Sequence, residues 1–473
     1  MCLTLRRLLA ATLVLCLAAP MIGCAEKIAR APGKPQAEGR VLLPPAGEAG
    51  AESKLPKSIS RRPPPPVAPP PALPRMPAPV ETAPLTPPAA AVPAAPARVA
   101  VGLLLPLSGP DAAIGQSILD AAQMALFDMA DENFTLLPRD TGGTPEGAVR
   151  ATRDVLAAGA KLILGPLLAQ DVAAVAPEAR AAHVPVVAFS SDASVAGNGV
   201  FLMGLLPREQ VLRVAAFAVS RGHSHFAALV PDNAYGSRVE DALVEGATRA
   251  GGAVTQVERF PPGGDATEAV RRLANYGARH AALEAQIQEL SGKDDEVSKQ
   301  ALARLKEMDT IGAVSFDSVM IAEGGEHLRA IAPLLPYYDV DTRKVQLLGT
   351  SLWDDPSLGT EPSLIGGWFA APDPAPRTAF TARFTSLTGH RPQGFASLGY
   401  DATALAAVLA RGEHGPDFSA AALTAEQGFA GVDGIFRFLS SGLSERGLAV
   451  LEMQRNEFKV VDPAPTAFTK LVY

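Results

Sequence analysis

Short apolar runs alternate with amphipathic stretches from Arg98 to the carboxyl terminus, and this alternation limits the possible folds more than any other feature. The run "RVAVGLLLPLSG" is typical of a buried strand that ends in a loop, and "SILDAAQMALFDMA" has the apolar spacing of a helix. The same order repeats through "AVRATRDVLAAG", "KLILGPL", "DVAAVAPEARAAH" and "VPVVAFSS". Continuous apolar strands separated by helices of about ten to fifteen residues are typical of a parallel sheet covered on both faces. The sequence therefore predicts an α/β fold.

The strand and helix pattern begins again at "HFAALVPDN" and continues through "RVEDALVEGATRAG", "AVTQVERF", "DSVMIAEGG" and "VQLLGTS". These are too many strands for one compact sheet, and a chain of 473 residues is long enough for more than one domain. We expect two Rossmann-like lobes with parallel sheets around a cleft. Ligands of open α/β sheets bind outside the carboxyl ends of the strands, so the loops at these ends form the candidate site.

All three cysteines lie within the first 24 residues, at Cys2, Cys16 and Cys24. Arg6 and Arg7 precede an apolar run, "LLAATLVLCLAAP", which is shorter than the about 20 residues that a membrane-spanning helix needs. A basic start, an apolar run and small residues are the features of a secretory signal peptide, which we place at residues 1–23.

The end of this signal resembles that of bacterial lipoproteins, in which a short box of residues ends in an invariant cysteine. Here the box is Met21-Ile22-Gly23-Cys24, and it departs from the family pattern at its first position, where leucine is usual. The resemblance implies lipidation of Cys24, and Ala25 after it favours the outer membrane over the inner one. An ordinary secreted protein is the alternative. We expect a periplasmic protein that a lipid anchors to the outer membrane.

Residues 24–97 are dominated by proline and alanine, as in "RRPPPPVAPPPALPRMPAPV". Proline has a fixed φ and no amide donor, so such a run cannot join a helix interior or a sheet ladder. We predict a disordered, extended linker of mainly polyproline II character, which rises about 3.1 Å per residue. A spacer is the favoured role, and a peptide ligand is the alternative.

Several ordered motifs resemble the type I periplasmic binding proteins, the group of the branched-chain amino-acid receptors. They are "VAVGLLLPLSGPDAAIGQSILDAAQMAL", "LILGPLLAQDVAAVAPEARAAHVPVVAFSSDAS" and "LVPDNAYGSRVEDAL". The resemblance covers residues 98–473 and implies two lobes joined by three crossovers. Each lobe is then assembled from separate segments: about 98–210 and 372–427 for the first, and about 211–371 and 428–473 for the second.

A narrower resemblance concerns the first and last motifs of this region. "LLLPLSG", "GFAGVDGIFRF" and "ERGLAVLEM" are similar to sequences of penicillin-binding-protein activators, lipoproteins that use this fold to stimulate a peptidoglycan synthase. A lipid anchor, a long linker and a globular head suit a protein that must reach an enzyme in the other membrane. The partner implied is a bifunctional penicillin-binding protein. The alternative is a receptor that delivers an amino acid or another small solute to an ABC permease.

The resemblance can be carried to the ligand site position by position. In amino-acid receptors, a serine after the third strand and a turn after the fourth hold the carboxylate of the ligand. In this chain the position of the receptor serine corresponds to residues 168–170, which contain no serine. The turn after the fourth strand corresponds to residues 192–194, which contain an additional acid. Tyr235 matches one aromatic residue with which the receptors contact their ligand. The second aromatic of the receptors corresponds to a position near Gly324, and their ammonium-binding glutamate corresponds to a position within 351–354. Since a buried carboxylate without donors is unfavourable by several kcal/mol, we expect a weakened or redirected amino-acid site.

The candidate ligand contacts are therefore Ser108, Ala169, Gln170, Ala193, Ser194, Tyr235, Gly324, Ser351 and Asp354. The serines at 108 and 194 also fit a structural role, because hydroxyls before helices are often N-caps. Tyr235 likewise either contacts a ligand or only supports the helix that follows it.

A helical insert at about 276–310 interrupts the second lobe. It contains strong helix formers, and Gly292 divides it into two expected helices. Acidic and basic residues are interspersed along it, a pattern that supports helices through pairs one turn apart. It is either a solvated helical hairpin or a projecting arm that contacts a partner protein.

Catalytic motifs are not recognisable in the sequence. There is no Gly-rich dinucleotide loop and no phosphate loop, and "FASLG" has Phe395 where a nucleophile elbow needs glycine. His223 and His225 in "RGHSHF" lack the further ligands of a metal site. The chain has a net charge of −7 and no basic patch in its sequence, which argues against binding to nucleic acid. We expect a binding protein without an enzymatic activity, a cofactor or a metal.

Overall fold

The computed structural model describes residues 98–412 and 415–468. The predicted signal peptide, the lipidation site at Cys24 and the proline-rich linker lie outside these residues. Within the described part of the chain, no helix has the length and apolar character needed to cross a bilayer.

The first lobe begins with five parallel strands that form one sheet. The strands are β1 (Val99–Leu105), β2 (Phe134–Asp140), β3 (Leu162–Leu164), β4 (Val186–Ala188) and β5 (Val200–Leu202). They lie in the order β2-β1-β3-β4-β5. The connecting helices are α1 (Ala112–Met129), α2 (Pro145–Ala157) and α3 (Ala169–Ala181). Helix α2 packs closely on the sheet because Gly102 of β1 has no side chain; a Cβ there would lie 2.8 Å from Val155.

The chain then enters the second lobe, which continues the alternation of helix and strand. Its elements up to the insert are α4 (Pro207–Ser220), β6 (His225–Pro231), α5 (Ala234–Ala250), β7 (Ala253–Phe260) and α6 (Thr267–Leu273). Asn233 begins α5 as an N-cap that accepts a hydrogen bond from Gly236 N at 3.0 Å, and Gly251 ends it with a φ of 94°.

The insert forms two helices, α7 (Tyr276–Ser291) and α8 (Glu296–Leu305), and Gly292 directly follows the first. Asp295 caps α8 by accepting a hydrogen bond from Ser298 N at 2.9 Å. After the insert come β8 (Ser318–Ile321), α9 (Gly325–Ile331), α10 (Leu334–Tyr337), β9 (Gln346–Gly349) and β10 (Trp368–Ala371).

The chain returns to the first lobe for helices and a small antiparallel sheet. These elements are α11 (Pro374–Thr388), α12 (Ala396–Ala410), α13 (Ala420–Leu423), β11 (Phe429–Gly431), β12 (Gly434–Phe438) and β13 (Ser444–Arg446). The last two strands, β14 (Ala449–Gln454) and β15 (Glu457–Asp462), belong to the second lobe. Its sheet has the order β15-β14-β10-β9-β8-β6-β7, with β14 and β15 antiparallel to their neighbours.

The α/β class, the two lobes with mainly parallel sheets and the three crossovers are thus confirmed. Two lobe boundaries differ from those expected. The first crossover lies at 203–206, before the expected position near 210, because α4 packs against α5 of the second lobe. The third lies at 447–448 instead of near 428, because Phe436 and Phe438 of β12 pack in the core of the first lobe.

Candidate functional site

The candidate site is the cleft between the lobes, where the carboxyl ends of strands from both sheets meet. The loop after β4 in the first lobe contacts the second turn of α5 in the second lobe. The loop after β9 in the second lobe contacts the first turns of α11 in the first lobe. Since these loops follow strand carboxyl ends, the cleft has the position that ligand sites take in open α/β sheets.

An ion pair between Arg238 and Asp192 crosses the cleft. Arg238 Nη2 donates to Asp192 Oδ1 at 2.7 Å, and the same oxygen accepts from Ser194 N at 2.9 Å and from Ser194 Oγ at 2.7 Å. Burial acts to raise the pKa of Asp192, but the hydrogen bonds from Ser194 and the charge of Arg238 outweigh it and hold the pKa below its ordinary value. The hydroxyl of Ser194, a candidate ligand contact, is therefore already engaged by the protein.

A second cluster of charges joins the lobes at Arg377 of α11. Its Nη1 pairs with Asp354 of the second lobe, and its Nε lies 3.5 Å from Asp433 Oδ1 of the first lobe. Burial raises the pKa of Asp354, although Arg377 opposes this shift. The carboxylate of Asp354, a candidate ligand contact, is therefore already paired with a guanidinium of the chain itself.

The remaining candidate residues of the second lobe are also bonded within the protein. The hydroxyl of Tyr235 lies 2.9 Å from Thr350 Oγ1, and burial raises the pKa of this tyrosine to about 12. Ser351 N donates to Gln210 Oε1 at 2.7 Å. Gly324 begins α9 beside these groups with extended backbone. The Tyr235 hydroxyl and the Ser351 amide are thus already engaged within the protein.

The loop that bears Ser108 is held by a single carboxylate. Asp140 Oδ1 accepts from Leu107 N at 2.9 Å, from Ser108 N at 3.2 Å and from Gly142 N at 2.8 Å. Burial favours a higher pKa for Asp140, but the hydrogen bonds, the one from the Ser108 side chain first, lower it. Ser108 thus lies on the cleft side of the first lobe next to an acid.

Asp171, which sequence reasoning did not select, is the most unusual group near the first-lobe candidates. It lies in the first turn of α3 with Ala169 and Gln170, it is 1% exposed, and its carboxyl oxygens have no hydrogen-bond partner among the described residues. Burial, followed by the charges of Glu146 and Asp111, raises its pKa to about 6. The candidate contacts Ala169 and Gln170 therefore lie beside a buried acid, which disfavours an anionic ligand there. An aspartate two residues after the expected serine position was the available sequence signal.

A buried set of charges connects the crossovers behind the cleft. Arg446 Nη2 donates to Met203 O at 2.9 Å, which ties the third crossover to the first. Asp401 of α12 accepts from Val432 N at 2.7 Å, and its burial, with the nearby charge of Asp433, raises its pKa. The Arg446 bond thus joins two crossovers, and the Asp401 bond holds Val432 on α12 within the first lobe.

The two histidines considered for metal binding lie at the other end of the second lobe. His223 precedes β6, and His225 is its first residue. Their Nδ1 atoms lie 3.7 Å and 3.5 Å, respectively, from carboxylate oxygens of Asp317. This is the amino end of the strand, away from the cleft. In the described residues no group of three or more His, Cys, Asp or Glu side chains has an arrangement that could hold a metal ion.

The helical insert is attached at the same distant end. Helix α7 follows α6 and α8 leads into the amino end of β8, so the hairpin lies opposite the carboxyl ends that form the cleft. Arg279 anchors its base by donating to Gly312 O at 3.1 Å and to Asp339 O at 3.2 Å, and Leu283 is buried. Val297 near the start of α8 is 77% exposed. The base of the hairpin is therefore fixed to the second lobe, and its outer end is exposed and accessible to another protein.

Curated proteins with similar sequences are only partly covered by this chain. The penicillin-binding protein activator LpoA of Vibrio cholerae is 26% identical over 262 residues, which are 53% of this chain and 40% of LpoA. An uncharacterized protein of Rickettsia prowazekii is 24% identical over 176 residues, 37% of this chain and 47% of that protein. The chain thus matches less than half the length of either relative.

Similar solved structures include transporter components. One is a putative branched-chain amino acid ABC transporter from Rhodospirillum rubrum, with a TM-score of 0.61 at 20% identity. The match covers 77% of this chain and 100% of that chain. An ABC transporter substrate-binding protein from Sphaerobacter thermophilus has a TM-score of 0.58 at 20% identity, covering 78% and 98%. At such identity these structures show the fold alone. The sequence profile of the periplasmic binding protein family matches residues 98–456, and the chain belongs to that family.

Proposed function

We propose that this protein is a lipid-anchored, non-enzymatic periplasmic protein that binds and activates a peptidoglycan synthase of the penicillin-binding-protein class. The observation that carries the proposal is the charge arrangement of the cleft. The resemblance to amino-acid receptors assigns the loops of Asp192 and Asp354 to ligand contact. In these loops the chain forms its own ion pairs between the lobes, with Arg238 and Arg377. A cleft bridged in this way is suited to a fixed scaffold more than to a receptor that closes on a solute.

The cleft chemistry further disfavours an amino acid. The ligand carboxylate would approach Asp192 and the buried Asp171, and it would find the Ser194 hydroxyl already donating to Asp192. Repulsion between like charges opposes such binding. A free ammonium group would have to displace Arg377 from Asp354.

The helical hairpin formed by α7 and α8 is the surface that we assign to the synthase. It projects from the lobe end opposite the cleft, its base is anchored by Arg279, and its tip exposes Val297. The similarity to the penicillin-binding protein activator of Vibrio cholerae over 262 residues supports this choice of partner. The predicted lipid anchor and linker would give the head the reach to meet an enzyme in the other membrane.

Deleting α8 and the end of α7 tests the proposal. A variant lacking residues 286–306 keeps the anchored base with Arg279 and Leu283, so it should unfold at nearly the same temperature as the parent chain. We expect its affinity for a purified bifunctional penicillin-binding protein to fall by roughly tenfold or more, as loss of a central contact region does. The control is Arg153→Ala, which removes an exposed ion pair with Glu178 on the first lobe and should not change the affinity. Unchanged affinity in the folded deletion variant would remove the hairpin from the interface.

A solute receptor for an ABC permease is the second candidate, and one observation favours it. The resemblance to amino-acid receptors assigns Tyr235 and Ser194 to ligand contact, and rotation of their side chains would release both hydroxyls. A thermal-shift screen of the protein against amino acids separates the two candidates. A ligand at one hundred times its Kd stabilises the folded state by about 2.7 kcal/mol, which is readily seen.

A further inference from the structure

A cavity at the first crossover lies between the two lobes, beside the cleft. Its volume is about 220 Å³. Ser191 and Leu443 line it from the first lobe, Asp241 and Ala242 of α5 line it from the second lobe, and Leu206 of the crossover lies in its wall. A molecule in this cavity would therefore contact both lobes at once.

The cavity extends away from the cleft along α5. This helix begins at the cleft with Ala234, and Asp241 and Glu245 follow two and three turns later. At 1.5 Å per residue, these two carboxylates lie about 10 to 17 Å along the helix from its cleft end. Of the cleft residues described above, Ala193 and Arg238 border the cavity as well. The cavity is thus a second space that shares one edge with the cleft.

The two arginines of the cavity are already bonded to carboxylates of the chain. Arg208 donates to both carboxylate oxygens of Glu245, at 2.9 Å and 2.5 Å, and to Glu209 at 2.6 Å. Arg238 donates to Asp192 at 2.7 Å. Charge-assisted bonds of this kind, and two-point bonds above all, are strong and specific in geometry. An anionic ligand would have to displace these carboxylates to reach either guanidinium.

Asp241 gives the cavity an excess of negative charge. Two arginines and three acidic residues, Glu209, Asp241 and Glu245, line it, which leaves one negative charge unbalanced. Asp241 is exposed, and within the described residues neither arginine is bonded to it. The other walls include the apolar side chains of Leu206 and Leu443. A carboxylate beside apolar walls is suited to a cation that has an apolar body.

We infer that this cavity binds a small organic amine. Its ammonium group pairs with the carboxylate of Asp241, and its apolar part lies against Leu206, Ala242 and Leu443. A cavity of about 150 Å³ can hold benzene, so the volume of about 220 Å³ admits one six-membered ring with a short side chain. An anion is repelled by the excess charge, and a neutral molecule gains only the apolar contacts.

Binding of the amine would favour the arrangement of the lobes seen in this structure. The walls that Ser191 and Asp241 contribute form one cavity only while the two lobes keep this relative position. A ligand that binds one arrangement better than others shifts the population toward it. The amine would therefore reinforce the neighbouring pair of Arg238 and Asp192. This inference does not depend on which partner the head binds.

Thermal unfolding with benzylamine as the probe tests the charge requirement. We expect the unfolding temperature of the mature chain to rise with benzylamine concentration. Benzyl alcohol and phenylacetate, which are neutral and anionic molecules of similar size, should change it little. Asp241→Asn should raise the Kd for benzylamine by roughly tenfold or more, since it removes a bond to a charged group. Asp154→Asn, at an exposed position on α2, is the control and should leave the Kd unchanged.

Two further measurements test the position of the site. Ser191→Leu, at an exposed first-lobe position, narrows the cavity without changing α5 and should also raise the Kd. Amide hydrogen exchange with benzylamine bound should slow within residues 205–209 and 238–245.

Four results would overturn the inference. They are no change of the unfolding temperature with benzylamine, an equal Kd for the parent chain and Asp241→Asn, an unchanged Kd in a folded Ser191→Leu variant, and slower exchange confined to the cleft loops at 169–171 and 351–354.

Discussion

Arg238 of the second lobe donates a hydrogen bond to Asp192 of the first lobe at 2.7 Å, directly across the cleft. Asp192 lies in the loop after β4 of the first-lobe sheet, and Arg238 lies in α5, which follows β6 of the second-lobe sheet. Their contact therefore depends on the relative position of the two lobes. Both side chains are about one-third exposed, at 35% and 32%, which limits the strength of the pair.

Uncoupling this pair should have a small but measurable effect on stability. We expect a double-mutant cycle of Arg238→Gln and Asp192→Asn to give a coupling energy of about 0.5–1 kcal/mol in urea unfolding. Small-angle X-ray scattering should detect a larger radius of gyration in the double variant as the lobes separate. The comparison pair is Arg153 and Glu178, which lies within the first lobe and should leave the radius unchanged. A coupling energy of zero would show that the Arg238–Asp192 pair does not help to hold the lobes together.

Removal of Arg377 should be more severe. Arg377→Ala leaves Asp433, with 4% side-chain exposure, and Asp354, with 18%, without their cation. Breaking a buried pair by removing one partner typically lowers the free energy of unfolding by about 3–5 kcal/mol. We expect a value near the lower end, measured by urea unfolding, because Arg377 itself is partly exposed. Arg383→Ala, which removes a more exposed pair with Asp128, should lower it by less than about 1 kcal/mol; equal losses for the two variants would contradict this view of the cleft.

Asp171 predicts a specific dependence of stability on pH. Its folded pKa of about 6 lies above its unfolded pKa, which is near 3.8. Between these values the folded state binds the extra proton, so the free energy of unfolding decreases as the pH rises from about 4 to about 6. At higher pH the ionised carboxylate destabilises the fold by an amount on the order of 3 kcal/mol.

The variant Asp171→Asn removes this charge. We expect it to unfold at a higher temperature than the parent chain at pH 7.5, and the difference should disappear near pH 4. Asp154→Asn, at an exposed position on α2, is the control and should show no such trend. A stability difference that is the same at both pH values would mean that Asp171 does not titrate between them.

The lipid anchor is tested by Cys24→Ser in the full chain. We expect the variant to leave the membrane fraction after export, since a lipid chain buries its methylenes at about 0.8 kcal/mol each and nothing else is assigned to hold the chain there. Ser108→Ala, which keeps Cys24, should remain with the membranes. Membrane attachment of the Cys24→Ser variant would show that the anchor lies elsewhere.

The sequence was sufficient for the fold because its signals are local. The apolar runs of β1, β3, β4 and β6 and the helices between them follow from periodicity, and Gly292 indicated the end of the first insert helix. The strands β11 to β13 were placed in the wrong lobe. Whether Phe436 and Phe438 pack on the first or the second core depends on the path of the chain, which periodicity does not encode.

The sequence indicated which strand ends bear the candidate residues, but not the bonds that their side chains make. The loops that bear Ser194, Tyr235 and Asp354 do lie at strand ends near the cleft. Their partners were not predictable, because Arg238 and Arg377 approach from the opposite lobe. Asp171 was missed for a similar reason: only the packing of α2 and α3 makes an ordinary first-turn aspartate into a buried, unpaired one.

The most direct measurement is the rate of glycan-strand and cross-link formation by a purified bifunctional penicillin-binding protein, with and without the full mature chain. We predict an increase in rate that saturates with the amount of this protein and that is lost on deletion of residues 286–306. An unchanged rate at saturating amounts of folded protein, together with a clear thermal shift on adding a free amino acid, would contradict the proposed function and identify the cleft as a solute site.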